Sequence, residues 1–239
     1  MQPNSSGISF SLFGFPTTIQ PFFGLIALLI TAANLGPIND MPFWIAQLAV
    51  GAAGVLLSIL VHELGHAFSF RYLFRVPCVI VLHGFGGMAV PQQQYNRGYG
   101  FSGAVKGCFL AFSGPLAGFV LAFFTLFTFF SFFSLDVVPA DVGLALLHWF
   151  LWWTGMISIF WGIINLMPIY PMDGGHIARE ICEFLFPRRG IEISLILSMA
   201  AAVLLIGAAI QMKMIILAVF FGFFAYQNYQ EWSFRSFRR

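Results

Sequence analysis

The segment Leu60-Val61-His62-Glu63-Leu64-Gly65-His66-Ala67 carries the pattern H-E-x-x-H inside an otherwise apolar run. On a helix, residues four apart lie on one face, so both imidazoles can reach a single metal ion. Glu63 stands beside them, able to take a proton from a metal-activated water. Ionisable groups within an apolar helix are costly and mark function by default. The alternative is a set of buried, hydrogen-bonded polar residues steadying a bundle. Three such groups within one and a half turns argue against that alternative unless a metal pairs with them.

A zinc ion with an open coordination position takes three protein ligands. His83 falls in an irregular loop, and His148 lies toward the opposite end of its helix near Asp141. The better candidate is Asp173, in Asn165-Leu166-Met167-Pro168-Ile169-Tyr170-Pro171-Met172-Asp173-Gly174-Gly175-His176. Two prolines three apart stop a regular helix, and the glycine pair permits tight backbone geometry. A broken helix within a membrane is tolerated only against protein or a water-filled cavity. The competing reading is a capping Asp before a helix at 177–185. Depth favours the ligand: His62 is nine residues before Arg71, about 13 Å along a helix. Asp173 is similarly close in sequence to Arg179 and Arg188.

The elements that must carry these groups follow from composition. Of 239 residues, 59% are hydrophobic, 18% aromatic and 8% charged, with 31 Phe and a mean hydropathy of +0.88. A soluble domain carries about a quarter charged residues, so a soluble fold and intrinsic disorder are both excluded. Net charge of +2 with no basic stripe excludes a nucleic-acid partner. Cys78, Cys108 and Cys182 are widely spaced and read as small buried hydrophobes rather than a disulfide framework. No Lys or Arg precedes Arg71, so the first apolar segment is expected to stay in the mature protein.

About 20 apolar residues cross a bilayer. Six segments qualify: 19–36, 43–70, 109–134, 144–168, 192–210 and 213–230. The polar, Gly-rich stretch 71–108 separates the second from the third, and Gln211-Met212 makes a tight turn between the last two. Alternate threading puts the N-terminus, 71–108, 169–191 and the C-terminus on one face. Ten of the eleven basic residues then share that face, Lys213 being the exception, while Asp40, Asp136 and Asp141 fall opposite. Such sorting predicts a multi-pass protein with cytoplasmic termini, in the inner membrane if bacterial. The tail 231–239 alternates aromatics with arginine and reads as an interfacial anchor. Cys78-Val79-Ile80-Val81-Leu82-His83 is rich in β-branched residues and too short to span, which predicts a re-entrant hairpin with 88–90. Gly114 and Gly118 read as close helix packing.

H-E-L-G-H on a membrane helix, followed by N-x-x-P-x-x-P-x-D-G-G, resembles the site-2 protease family of intramembrane zinc metalloproteases. Ser113-Gly114-Pro115-Leu116-Ala117-Gly118 and Phe85-Gly86-Gly87 extend the likeness, which runs from about 55 to 180. The resemblance implies an all-α membrane protein forming a single protease domain over 1–239, with its catalytic core at about 43–180. One Zn2+ would be held by His62, His66 and Asp173. Glu63 would act on the water, and Asn165 would bind substrate or the developing oxyanion. The hairpin's free edge, at Val79, Ile80 and Val81, would pair with an unwound substrate segment. The substrate would be a single-pass membrane protein or a membrane-embedded peptide. Water would enter beside 92–100 and the Pro168–Pro171 break. No segment is long enough for the PDZ or CBS domain that many members add. A transporter or channel would explain Asp173 but leave the H-E-x-x-H face unused, and the break has no inverted repeat. A catalytically inactive scaffold would not need both His, the Glu and the Asp.

Overall fold

The computed structural model describes residues 7–84, 86–98 and 100–236. Phe85 of the Phe-Gly-Gly element and Phe237, Arg238 and Arg239 of the tail lie outside the described residues. The chain falls into two units, one of residues 1–95 and 113–162, the other of 96–112 and 163–239.

The first unit opens with a hairpin, β1 (Ile8–Leu12) and β2 (Phe15–Ile19). The two residues of its turn, Phe13 and Gly14, both have positive φ (50° and 77°). Turns of this kind match the twist of the strands they join. After α1 (Pro21–Ala32) comes α2 (Met41–Ser69), which carries the H-E-x-x-H segment. A π-helical turn, Phe70–Phe74, follows α2 and ends where Arg75 adopts a left-handed conformation. The chain then forms β3 (Cys78–His83) and β4 (Gly86–Pro91).

The four strands make one sheet in the order β1-β2-β3-β4, with β2 parallel to β3 and the other pairs antiparallel. The predicted hairpin is therefore present, but half of a larger sheet. This corrects the expectation for Val79, Ile80 and Val81. Ile80 and Val81 lie opposite Thr17 and Thr18 of β2, while all three pair with β4. The free edge on this side of the sheet belongs to β4. Arg71 fastens the first hairpin to the end of α2. Its Nη1 donates to the Phe13 carbonyl (2.8 Å), and its guanidinium lies 3.6 Å from the centre of the Phe15 ring.

Helices α3 (Gly100–Phe132) and α4 (Val142–Asn165) give most of their length to this unit. Small residues let α2 and α4 approach closely. A Cβ at Gly54 would overlap Thr154 Oγ1. One turn on, Ser158 Oγ donates to Ser58 Oγ (2.9 Å), which donates to the Gly54 carbonyl (2.8 Å).

The second unit holds the start of α3, the end of α4, and α5 (Asp173–Leu185), α6 (Gly190–Gln211) and α7 (Ile215–Ser236). Ile169 and Met172, from the stretch between α4 and α5, are buried in one core with Ala202 of α6 and Phe221 of α7.

Among the described residues four helices are long and apolar enough to cross a membrane: α2 with its π turn, α3, α4 and α6. Helix α1 has 12 residues, or about 18 Å against about 30 Å of hydrocarbon. The expected first span at 19–36 is realised only as Pro21–Ala32, because Ile19 belongs to β2 and the helix gives way to a turn and irregular chain over 33–36. Helix α7 is long enough but carries Gln227, Asn228, Gln230, Glu231 and Arg235 in its second half. The third span starts at Gly100 rather than 109, since its glycine-rich first turns are helical.

Candidate metal centre

His62 and His66 meet as the helical spacing demands. Their Nε2 atoms are 3.3 Å apart, with the rings near perpendicular at 76°. Two nitrogens bound tetrahedrally to zinc at 2.0–2.1 Å are themselves about 3.3 Å apart. His62 and Glu63 are 3% and 4% exposed.

The seat for His66 is built by α3. Ser113 Oγ lies 3.5 Å from His66 Nδ1, where a group can set the tautomer and direction of a metal-binding imidazole. A Cβ at Gly114 would overlap the imidazole, and one at Gly65 would overlap the Ser113 carbonyl. At Gly65 the helix backbones approach closely, and at Gly114 the His66 imidazole takes the space a side chain would need. The expected packing role of Gly114 is present, with a second one added, because the space it leaves is filled by a ligand. Gly118 has only ordinary clearance, 3.6 Å from its Cβ position to the Ser158 carbonyl.

Glu63 is held from the other side by the sheet. A Cβ at Gly87 of β4 would overlap the Glu63 side chain, so the carboxyl group rests directly on the backbone of the free strand. Cys78 of β3 shows the consequence: burial, with the nearby Glu63 charge adding, pushes its thiol up to about 12. It is an inert neighbour. Burial also holds His83 below the usual imidazole range.

Asp173 is the first residue of α5, preceded by Met172 in an extended conformation with no side-chain cap. The expected 177–185 helix thus begins four residues early, with the carboxylate in its first turn. The glycine pair has a steric reason rather than a conformational one. A Cβ at Gly174 would overlap the Leu166 carbonyl, and one at Gly175 the backbone of Ile169 and Tyr170. Helix α5 can pack onto the preceding loop only without those side chains.

One ligand atom from each of His62, His66 and Asp173 lies within 4.8 Å of the others. Two imidazoles and a carboxylate, with a fourth position open, form a donor set suited to catalytic zinc, so these residues fit the metal. Of the other expected residues, Asn165 ends α4, half-buried. Val79, Ile80 and Val81 stay in the sheet interior, Ile80 fully buried. His148 is engaged elsewhere, its Nε2 3.0 Å from the Ser134 carbonyl. Sequence reasoning missed Ser113 as the neighbour of His66 and Gly87 as the rest for Glu63. The signal for both was a small residue within a motif that had already been singled out. A cavity of about 670 Å³ lined by Glu183, Arg188, Arg189, Glu192, Glu231 and Arg235 lies in the second unit and contains none of the expected site residues.

Comparison with known proteins agrees with this chemistry. The sequence model of peptidase family M50 matches residues 50–208. A zinc metalloprotease of Methanocaldococcus jannaschii is 25% identical over 177 residues, covering 72% of this chain and 44% of that protein. A relative from Synechocystis sp. is 29% identical over 177 residues, covering 72% and 42%. The chain thus spans under half the length of these curated relatives. The solved structure of a site-2 protease from M. jannaschii superposes with a TM-score of 0.57 at 23% identity, covering 95% of both chains. That likeness is one of fold. With four apolar helices of spanning length, the fold is that of an integral, multi-pass membrane protein.

Proposed function

The chain belongs to peptidase family M50, and from that premise we propose that it is an intramembrane zinc endopeptidase cutting peptide bonds of transmembrane segments. The observation that carries the reading is the meeting of His62, His66 and Asp173 donor atoms with Glu63 next to the first of them. Zinc, when bound, supplies Lewis acidity and an acidified water.

The chain's own residues do the rest. Glu63, buried and resting on Gly87, accepts the proton of the attacking water and passes it to the leaving amine. Its contact with the backbone of β4 favours a substrate strand added alongside β4, bringing an unwound segment past the base. Val79, Ile80 and Val81 then support that edge from the next strand rather than forming it. Asn165 donates a hydrogen bond to substrate or to the developing oxyanion.

The substrates are single-pass membrane proteins or membrane-embedded peptides. The domain extends over 1–239, with its catalytic core at about 43–180. The one-sided sorting of basic residues supports cytoplasmic termini and an inner-membrane location in a bacterium. Water enters from the basic face beside 92–100.

The test is Glu63→Gln in liposomes with a transmembrane peptide substrate. Cleavage should fall by about 10²- to 10⁴-fold, the usual contribution of a general base, with zinc content unchanged. Undiminished cleavage refutes the base assignment.

A further inference from the structure

Asp173 lies three residues beyond Tyr170 in the irregular stretch between α4 and α5. That stretch has no helical ladder of its own over 166–172, so its position depends on what it touches. Tyr170 is held at several points within the second unit, its ring also meeting that of His176 edge-on, with centroids 4.9 Å apart. Its amide donates to Ser198 Oγ of α6 (3.1 Å). Its carbonyl accepts from Asn228 Nδ2 of α7 (2.6 Å). Its ring lies 4.2 Å beneath the Arg179 guanidinium. Arg179, on the same helix as Asp173, is tied in turn to Glu231 of α7 by Nη2 (2.6 Å).

Ser198 and Asn228 are 0% and 1% exposed. The Asn228 amide nitrogen also donates to the Phe224 carbonyl (2.7 Å), while its Oδ1 is buried with no hydrogen-bond partner. An unsatisfied buried acceptor is destabilising. An apolar side chain there would fill the space without that cost. What it would lose is the grip on the Tyr170 carbonyl.

We propose that Asn228 and Ser198 are positioning residues for the metal site, pinning Tyr170 so that Asp173 is presented in one place. The last two helices, beyond the motifs that carry the chemistry, then set how firmly the third ligand is offered. The inference rests on the zinc reading above for its consequence, though the pinning itself does not require the metal.

The test uses the full chain in detergent micelles with Asn228→Leu, Ser198→Ala and the pair combined. Amide hydrogen exchange over 163–175 is read with and without zinc, alongside the rate of zinc release to excess chelator. Each hydrogen bond lost should speed exchange in that segment about fivefold. Zinc release should accelerate about tenfold in Asn228→Leu, with exchange over 190–236 unchanged. Ser198→Ala, a mild helical substitution, should show the smaller effect even if the leucine variant fails to fold. The proposal is overturned if exchange over 163–175 stays within twofold of the parent. It is equally overturned if the acceleration spreads evenly over α6 and α7, the mark of a purely structural role. It also fails if the segment loosens while zinc release is unaltered. A parent chain that binds no zinc sinks the protease reading instead, and leaves exchange to decide the pinning alone.

Discussion

The two sources of metal ligands in this molecule are built on opposite principles. His62 and His66 belong to a continuous helix, and the spacing of four residues puts them on one face, their Nε2 atoms 3.3 Å apart. Asp173 starts a helix just after a stretch with no repeating hydrogen bonds, and its place depends on contacts from α6 and α7. One ligand set is local and the other non-local. The comparison also separates two kinds of glycine. Gly114 leaves room for the side chain of His66, whereas Gly174 and Gly175 leave room for backbone. A side chain can rotate aside, but a backbone carbonyl has to be displaced with its neighbours.

That difference orders the substitutions that would break the comparison. Gly175→Ala meets the backbone of Ile169 and Tyr170, and overpacking of this kind costs about 1–3 kcal/mol. Zinc affinity, measured by chelator competition, should fall up to about 100-fold. Gly114→Ala meets the His66 imidazole first. Losing its seat should weaken zinc about tenfold, the lower end of the range for residues that orient a ligand. Ser58→Ala removes the Ser158–Ser58 hydrogen bond (2.9 Å) one turn before His62. Bonds of this kind between membrane helices are worth about 0.6 kcal/mol, so thermal stability should drop slightly with zinc affinity within threefold. If Gly114→Ala proved more damaging than Gly175→Ala, the contrast between a helix-held and a loop-held ligand would be reversed.

The same contrast explains what could be read from the sequence. H-E-x-x-H could be read because its geometry follows from helical periodicity, and the break at Pro168–Pro171 because proline chemistry is local. The strand at 78–83 was legible from its β-branched residues. Its partner β2 was not, since Thr17 and Ile80 pair across 63 positions and the apolar window of a membrane span had absorbed Ile19. That one omission left β3 with an open edge that β2 in fact covers, so the free edge on this side of the sheet is that of β4. Ser113 escaped for the same reason, lying 47 residues from the His66 it approaches.

The central claim is that two histidines on one helix and an aspartate from a broken one hold a single zinc ion. Elemental analysis of the purified chain beside His66→Ala and Asp173→Ala tests it most directly. The parent should carry about one zinc per chain, tetrahedral by X-ray absorption with two imidazole nitrogens, and both variants should lose nearly all of it. Full zinc content retained in Asp173→Ala would contradict it.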